Sequence, residues 1–123
     1  MKIQESAENY LETILMLSLK MPRVRSIDIA GELGYSKPSV SVAMKNLREN
    51  GYISLGAGGS IMLTDSGREI AETMYERHTL LSGWLITLGV DEKTAVEDAC
   101  RIEHVVSAES FGAIKSFIES IGK

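Results

Sequence analysis

Between Tyr52 and Leu63 the helical periodicity that governs the rest of the chain gives way to two short apolar runs. Tyr52-Ile53-Ser54-Leu55 and Ser60-Ile61-Met62-Leu63 flank the glycine-rich stretch Gly56-Ala57-Gly58-Gly59. Such runs across a glycine loop read as a β-hairpin. No other segment alternates in this way, so the expected fold is mainly α with a small β-hairpin.

The segments before the hairpin read as three helices. Ala7, Tyr10, Leu11, Ile14, Leu15 and Leu17 form one apolar stripe on a first helix that runs to about Lys20 and is stopped by Pro22. Ser26 is the expected N-cap of a short helix carrying Ile27, Ile29, Ala30 and Leu33, with Gly34 ending it. Ser36-Lys37-Pro38 is a second start, with proline in the first turn, where its missing N–H costs nothing. On the helix that follows, Val40, Ala43, Met44 and Leu47 point inward and Gly51 closes it.

After the hairpin, Thr64 caps a long amphipathic helix carrying Ile70, Met74, Leu81, Trp84, Leu85 and Leu88, ended by Gly89. Asp91 caps another, with Ala95, Val96, Ala99, Ile102 and Val106. Ser107 caps a last one, striped by Phe111, Ile114, Ile118 and Ile121. Residues 1–74 are therefore expected to form a winged helix-turn-helix domain, and residues 75–123 an all-helical dimerisation segment. Leu81, Trp84, Leu85, Leu88, Phe111, Ile114 and Ile118 are expected at a two-fold interface, because they exceed what so small a winged domain could cover.

At 44% hydrophobic and 24% charged residues the composition matches a packed globular chain, which excludes disorder. No apolar run reaches the ~18–20 residues of a membrane span, and the N-terminus lacks the basic-then-apolar order of a secretory signal, so a cytoplasmic protein without membrane association is expected. The single cysteine, Cys100, cannot form an internal disulfide.

The net charge of −4 is unevenly spread. Lys20 to Asn50 holds six basic and three acidic residues; Asp91 to Ser110 holds six acidic and two basic ones. One part can face an anion and the other a cation. The basic part contains the two short helices joined by a tight glycine turn, the helix-turn-helix pattern. Small polar residues at the start of the second helix allow close approach to a major groove, and its N-terminal N–H groups favour phosphate. Ser36, Lys37, Pro38, Ser39 and Ser41 are the expected DNA-facing residues, with Lys45 and Arg48 reaching phosphates further along.

In the acidic part, Cys100-Arg101-Ile102-Glu103-His104 places sulfur, oxygen and nitrogen donors three and four residues apart, on one helical face. A soft thiolate beside imidazole and carboxylate suits Fe(II), Co(II), Ni(II) or Zn(II) better than Mg(II) or Ca(II). Spacing alone leaves a second reading open, in which Cys100 is a buried small hydrophobe and Glu-His an ordinary exposed pair.

Six ordered blocks carry a resemblance. They are Glu8-Asn9-Tyr10-Leu11-Glu12-Thr13-Ile14, Ile27-Asp28-Ile29-Ala30, Ser36-Lys37-Pro38-Ser39-Val40-Ser41, Leu63-Thr64-Asp65-Ser66-Gly67, Arg77-His78-Thr79-Leu80-Leu81 and Ala99-Cys100-Arg101-Ile102-Glu103-His104-Val105-Val106-Ser107. Over nearly its full length the chain resembles the diphtheria toxin repressor and manganese transport regulator family of bacterial metal-dependent repressors. The resemblance implies a homodimer that binds a palindromic operator and controls metal-homeostasis genes, with metal as co-repressor. It implies metal ligands at Asn9, Glu12, His78, Cys100, Glu103 and His104, base contacts at Ser36 and Pro38, and phosphate contacts around Ser39 and Ser41. With ligands drawn from separate parts of the chain, metal occupancy would set the spacing of two recognition helices.

Family members place methionine or aspartate where this chain has Asn9, a weaker, neutral ligand, and a glutamate where it has Ser82, so a second, ancillary metal site is incomplete. Manganese-selective members carry glutamate at the Cys100 position, whereas iron-responsive members carry cysteine. The implied order of co-repressors is Fe(II), then Mn(II), with Zn(II) or Co(II) substituting in vitro. The rival reading is a winged-helix repressor that senses a small organic ligand or a protein partner. An enzyme is not expected: Cys100 and His104 as nucleophile and base, four apart on a helix, lack oxyanion donors and an orienting third group.

Overall fold

A computed structural model describes residues 5–121. The termini of the two expected segments, residues 1–4 and 122–123, lie outside it. In chain order the elements are α1 (Glu5–Ser18), α2 (Ser26–Leu33), α3 (Lys37–Glu49), β1 (Ile53–Leu55), β2 (Ile61–Leu63), α4 (Asp65–Thr87), α5 (Glu92–Val105) and α6 (Ala108–Ile121). Backbone contacts divide the chain into two units, Met1–Thr73 and Met74–Lys123, with the boundary inside α4.

In the first unit α1 packs on α2 and β2, α2 on α3, and α3 on β1. Leu11, Ile14, Ile29, Val40, Met44, Leu47, Ile53 and Ile61 are buried there. Ile27, expected with the apolar residues of α2, is instead 56% exposed, because the inward face of so short a helix is filled by Ile29 and Ala30. The strands pair antiparallel with Ile53 opposite Leu63 and Leu55 opposite Ile61. The Ile61 N–H donates to the Val24 carbonyl at 2.7 Å, so the segment before α2 is laced to the wing.

The caps follow local chemistry. Gly34 ends α2 in the left-handed region (φ 71°), where a Cβ would be strained. Ser36 caps α3 by accepting from the Ser39 N–H. Two expectations shift. The cap of α2 is Arg25, not Ser26, because Asp28 reaches back to accept from the Arg25 N–H at 2.9 Å. The first helix ends at Ser18, ahead of Pro22, in a turn where the Lys20 N–H donates to the Leu17 carbonyl.

Gly67 is fixed by sterics. A Cβ there would lie 2.0 Å from the Tyr52 carbonyl oxygen, so only glycine lets the first turn of α4 sit against the start of the hairpin. Thr64 tightens the same joint: its hydroxyl donates to the Gly51 carbonyl at 2.7 Å and accepts from the Gly67 N–H at 3.2 Å.

The second unit is built on Leu81 of α4, Ala99 of α5 and Phe111 of α6, with Leu80, Trp84, Ile102, Val106 and Ile114 packed around them. Leu81 and Phe111, expected at a two-fold interface, are thus covered within the protomer, since they fill the centre where α4, α5 and α6 meet. The apolar side chains left exposed are Ile86, Leu88, Val96, Val105, Phe117 and Ile121. Lys115 donates to Glu76 at 2.8 Å, and that hydrogen bond holds its ammonium group above the ordinary lysine pKa.

Candidate functional site

The C-terminal half of α5 carries the densest set of donor atoms. Asp91 starts this helix by accepting from the N–H groups of Lys93 and Thr94, which fixes its phase. Ala95, Ala99 and Glu103, each four residues from the next, have no exposure, so the buried stripe of α5 passes from two alanines to a carboxylate. An acidic residue in that stripe is costly: moving an ion out of water costs several kcal/mol even after relaxation.

Nothing in the hydrogen-bonding network offsets that cost. Neither oxygen of Glu103 accepts a hydrogen bond among the described residues. Its Oε2 lies 3.4 Å from Nδ1 of His78 on α4, and its Oε1 lies 3.4 Å from Nε2 of His104. The donor atoms of Cys100, Glu103 and His104 all fall within 4.8 Å of one another. A wholly buried carboxylate facing two imidazole nitrogens and a thiol is a donor set that suits a divalent transition cation.

Of the six candidate ligands, the structure brings Cys100, Glu103, His104 and His78 together within the second unit. Asn9 and Glu12 lie three residues apart on α1, in the first unit, with Glu12 buried and Asn9 half-buried. The Asn9 backbone carbonyl accepts from the Thr13 hydroxyl at 2.8 Å.

The candidate DNA-facing residues Ser36, Lys37, Pro38, Ser39, Ser41 and Lys45 are all exposed on α3 or at its cap, while Val40, Met44 and Leu47 are buried on the other side. The Ser36 hydroxyl is engaged locally: it caps the helix and donates to the Ser39 hydroxyl at 2.9 Å. Sequence reasoning passed over Arg77. Its Nη1 donates to the carbonyls of Glu103 and Val106 at 3.0 and 2.8 Å, and its guanidinium lies 5.3 Å from the Phe111 ring centroid. A fixed positive charge next in sequence to a candidate ligand, on an otherwise amphipathic helix, was the available signal.

Residues 2–56 match the iron dependent repressor N-terminal DNA binding domain, and residues 64–123 match the iron dependent repressor metal binding and dimerisation domain. The chain is 33% identical to the transcriptional regulator MntR of Salmonella typhimurium over 97% of its own length and 76% of that protein. It is also 33% identical to an uncharacterized HTH-type transcriptional regulator of Methanocaldococcus jannaschii, covering 95% of each. Among solved structures, a manganese-dependent transcriptional repressor in complex with manganese superposes with a TM-score of 0.83 at 30% identity, over 92% of this chain and 52% of that one. The manganese regulator SloR superposes at 0.81 with 26% identity, over 97% and 55%. The chain spans about half the length of these solved structures. No described helix is long and apolar enough to cross a membrane. The chain belongs to the iron-dependent repressor family, that of the diphtheria toxin repressor and the manganese transport regulator, whose members are metal-dependent transcriptional regulators.

Proposed function

We propose that this chain represses transcription as a homodimer that binds a palindromic operator when loaded with a divalent transition metal, and that it controls metal-homeostasis genes in the cytoplasm. The observation that carries the reading is the wholly buried Glu103 carboxylate, without a hydrogen bond and faced by His78 and His104. A sensor of an organic ligand would have no use for that cluster, and the family is metal-dependent.

The proposed ligands are His78, Cys100, Glu103 and His104, joined by Asn9 and Glu12 on the strength of the family resemblance. The bound ion would supply fixed positive charge. Glu103 supplies the compensating negative charge from a site that excludes water, and the two imidazoles orient against it. Cys100 sets the preference: a thiolate favours Fe(II) over the harder Mn(II). Mn(II) is the second reading, favoured by the manganese-dependent regulators among the relatives.

On the DNA side, Ser36 and Pro38 meet base edges, and Lys37, Ser39, Ser41 and Lys45 meet phosphates. The exposed Phe117, Ile121 and Val105 are natural candidates for the area that a partner protomer covers. The test is binding of a duplex, selected by the protein from a randomised pool, followed by fluorescence anisotropy during anaerobic titration with Fe(II) or Mn(II). Affinity that rises with metal and falls on chelation supports the proposal. Affinity indifferent to both overturns it.

A further inference from the structure

We propose that Arg77 is the positioning residue of the metal centre, fixing the ligand-bearing end of α5 against α4. The inference rests on the reading of His78, Cys100, Glu103 and His104 as ligands.

A helix leaves its last four carbonyls without intrahelical donors. For α5 these include Glu103, whose carbonyl receives no backbone N–H among the described residues; Arg77 donates to it at 3.0 Å. The same Nη1 donates at 2.8 Å to Val106, the residue that caps the helix. One guanidinium nitrogen thus replaces two missing backbone donors, and its charge sits at the negative end of the helix dipole. Phe111 in the first turn of α6 packs against the guanidinium, 5.3 Å from ring centroid to Cζ.

The consequence is geometric. Arg77 and His78 are joined by a peptide bond, and Arg77 holds the backbone of Glu103. His78 and the Glu103 carboxylate are therefore the two ends of one short closed path, which accounts for a 3.4 Å approach between side chains that share no hydrogen bond. Preorganisation of this kind decides how well a site holds an ion, because ligands must converge before the ion arrives. Lysine takes over only in part: its ammonium group can donate to the same carbonyls but stacks poorly on an aromatic ring.

The test compares the full-length wild type with Arg77→Met, Arg77→Lys and Glu103→Gln, using Co(II) as probe. Affinity is measured by chelator competition and geometry by the visible Co(II) bands, well below each variant's metal-free melting temperature. Arg77→Met is expected to bind Co(II) about 10–100-fold more weakly, the usual effect of removing a group that orients a ligand. Its bands should shift, and Arg77→Lys should fall in between. A group needed only for folding would lower the metal-free melting temperature and leave affinity and bands of the folded protein at wild-type values; that result overturns the proposal. If Arg77→Met fails to fold, Arg77→Lys decides, and wild-type affinity and bands in Arg77→Lys overturn it. If the wild type binds Co(II) no better than Glu103→Gln does, the ligand assignment itself fails and the proposal falls with it.

Discussion

His78 Nδ1 and Glu103 Oε2 stand 3.4 Å apart, with 17% of the histidine side chain exposed and none of the glutamate. The carboxylate occupies a position that the Ala95–Ala99 stripe would otherwise give to an apolar residue, so on the proposed reading it is kept for metal binding at a cost to the metal-free fold. Glu103→Met should therefore leave the metal-free protein as stable as wild type or more stable by about 1–4 kcal/mol, as when a buried ionic group gives way to a packed apolar one. Urea denaturation in the presence of a chelator measures this. A clear loss of stability would show that the carboxylate holds the fold together.

In the proposed ligand set Cys100 governs metal choice. Cys100→Glu replaces a soft thiolate with a hard carboxylate, so metal-stimulated DNA binding should persist while its preference moves from Fe(II) toward Mn(II). The measurement is the midpoint of each metal titration under anaerobic conditions. Unchanged midpoints for both metals would remove Cys100 from the ligand set.

Lys37 lies exposed in the first turn of α3, where the proposed reading sets it against phosphate rather than a base. Lys37→Ala should weaken binding to all duplexes alike and reduce the slope of log K against log salt by about one, the signature of one lost phosphate contact. Ser39→Glu, which sets a carboxylate at the same helix start, should weaken binding further. If the double variant binds with wild-type affinity at fixed salt, α3 does not face DNA.

Gly67 tests the joint between wing and α4. With a Cβ aimed 2.0 Å from the Tyr52 carbonyl oxygen, Gly67→Ala must displace backbone, and a cost of about 1–3 kcal/mol is expected. A lower denaturation midpoint at unchanged m value would confirm it. An unaltered midpoint would mean that the joint yields freely.

The hairpin, the caps at Ser36 and Asp91 and the inward face of α3 were legible because each depends on residues within one or two turns of chain. The convergence of Cys100, Glu103 and His104 was legible for the same reason, as a property of a single helix. The burial of Glu103 beside His78 depends on α4 as well, and helical spacing says only that it shares a face with Ala99. Arg77 was passed over because its role lies in two carbonyls at the end of another helix, and backbone acceptors leave no trace in sequence. The assignment of Leu81 and Phe111 to an interface failed because apolar periodicity marks a covered face without naming what covers it.

The most direct test is operator affinity of wild type and Glu103→Gln, each titrated anaerobically with Fe(II) and Mn(II), with folding and dimer mass verified beforehand. The amide keeps the shape of the side chain and removes its charge. Wild type should gain affinity with metal, whereas Glu103→Gln should remain a folded dimer with only weak, salt-sensitive DNA binding at every metal concentration. Full metal-stimulated binding by Glu103→Gln would contradict the assignment of this cluster as the sensor.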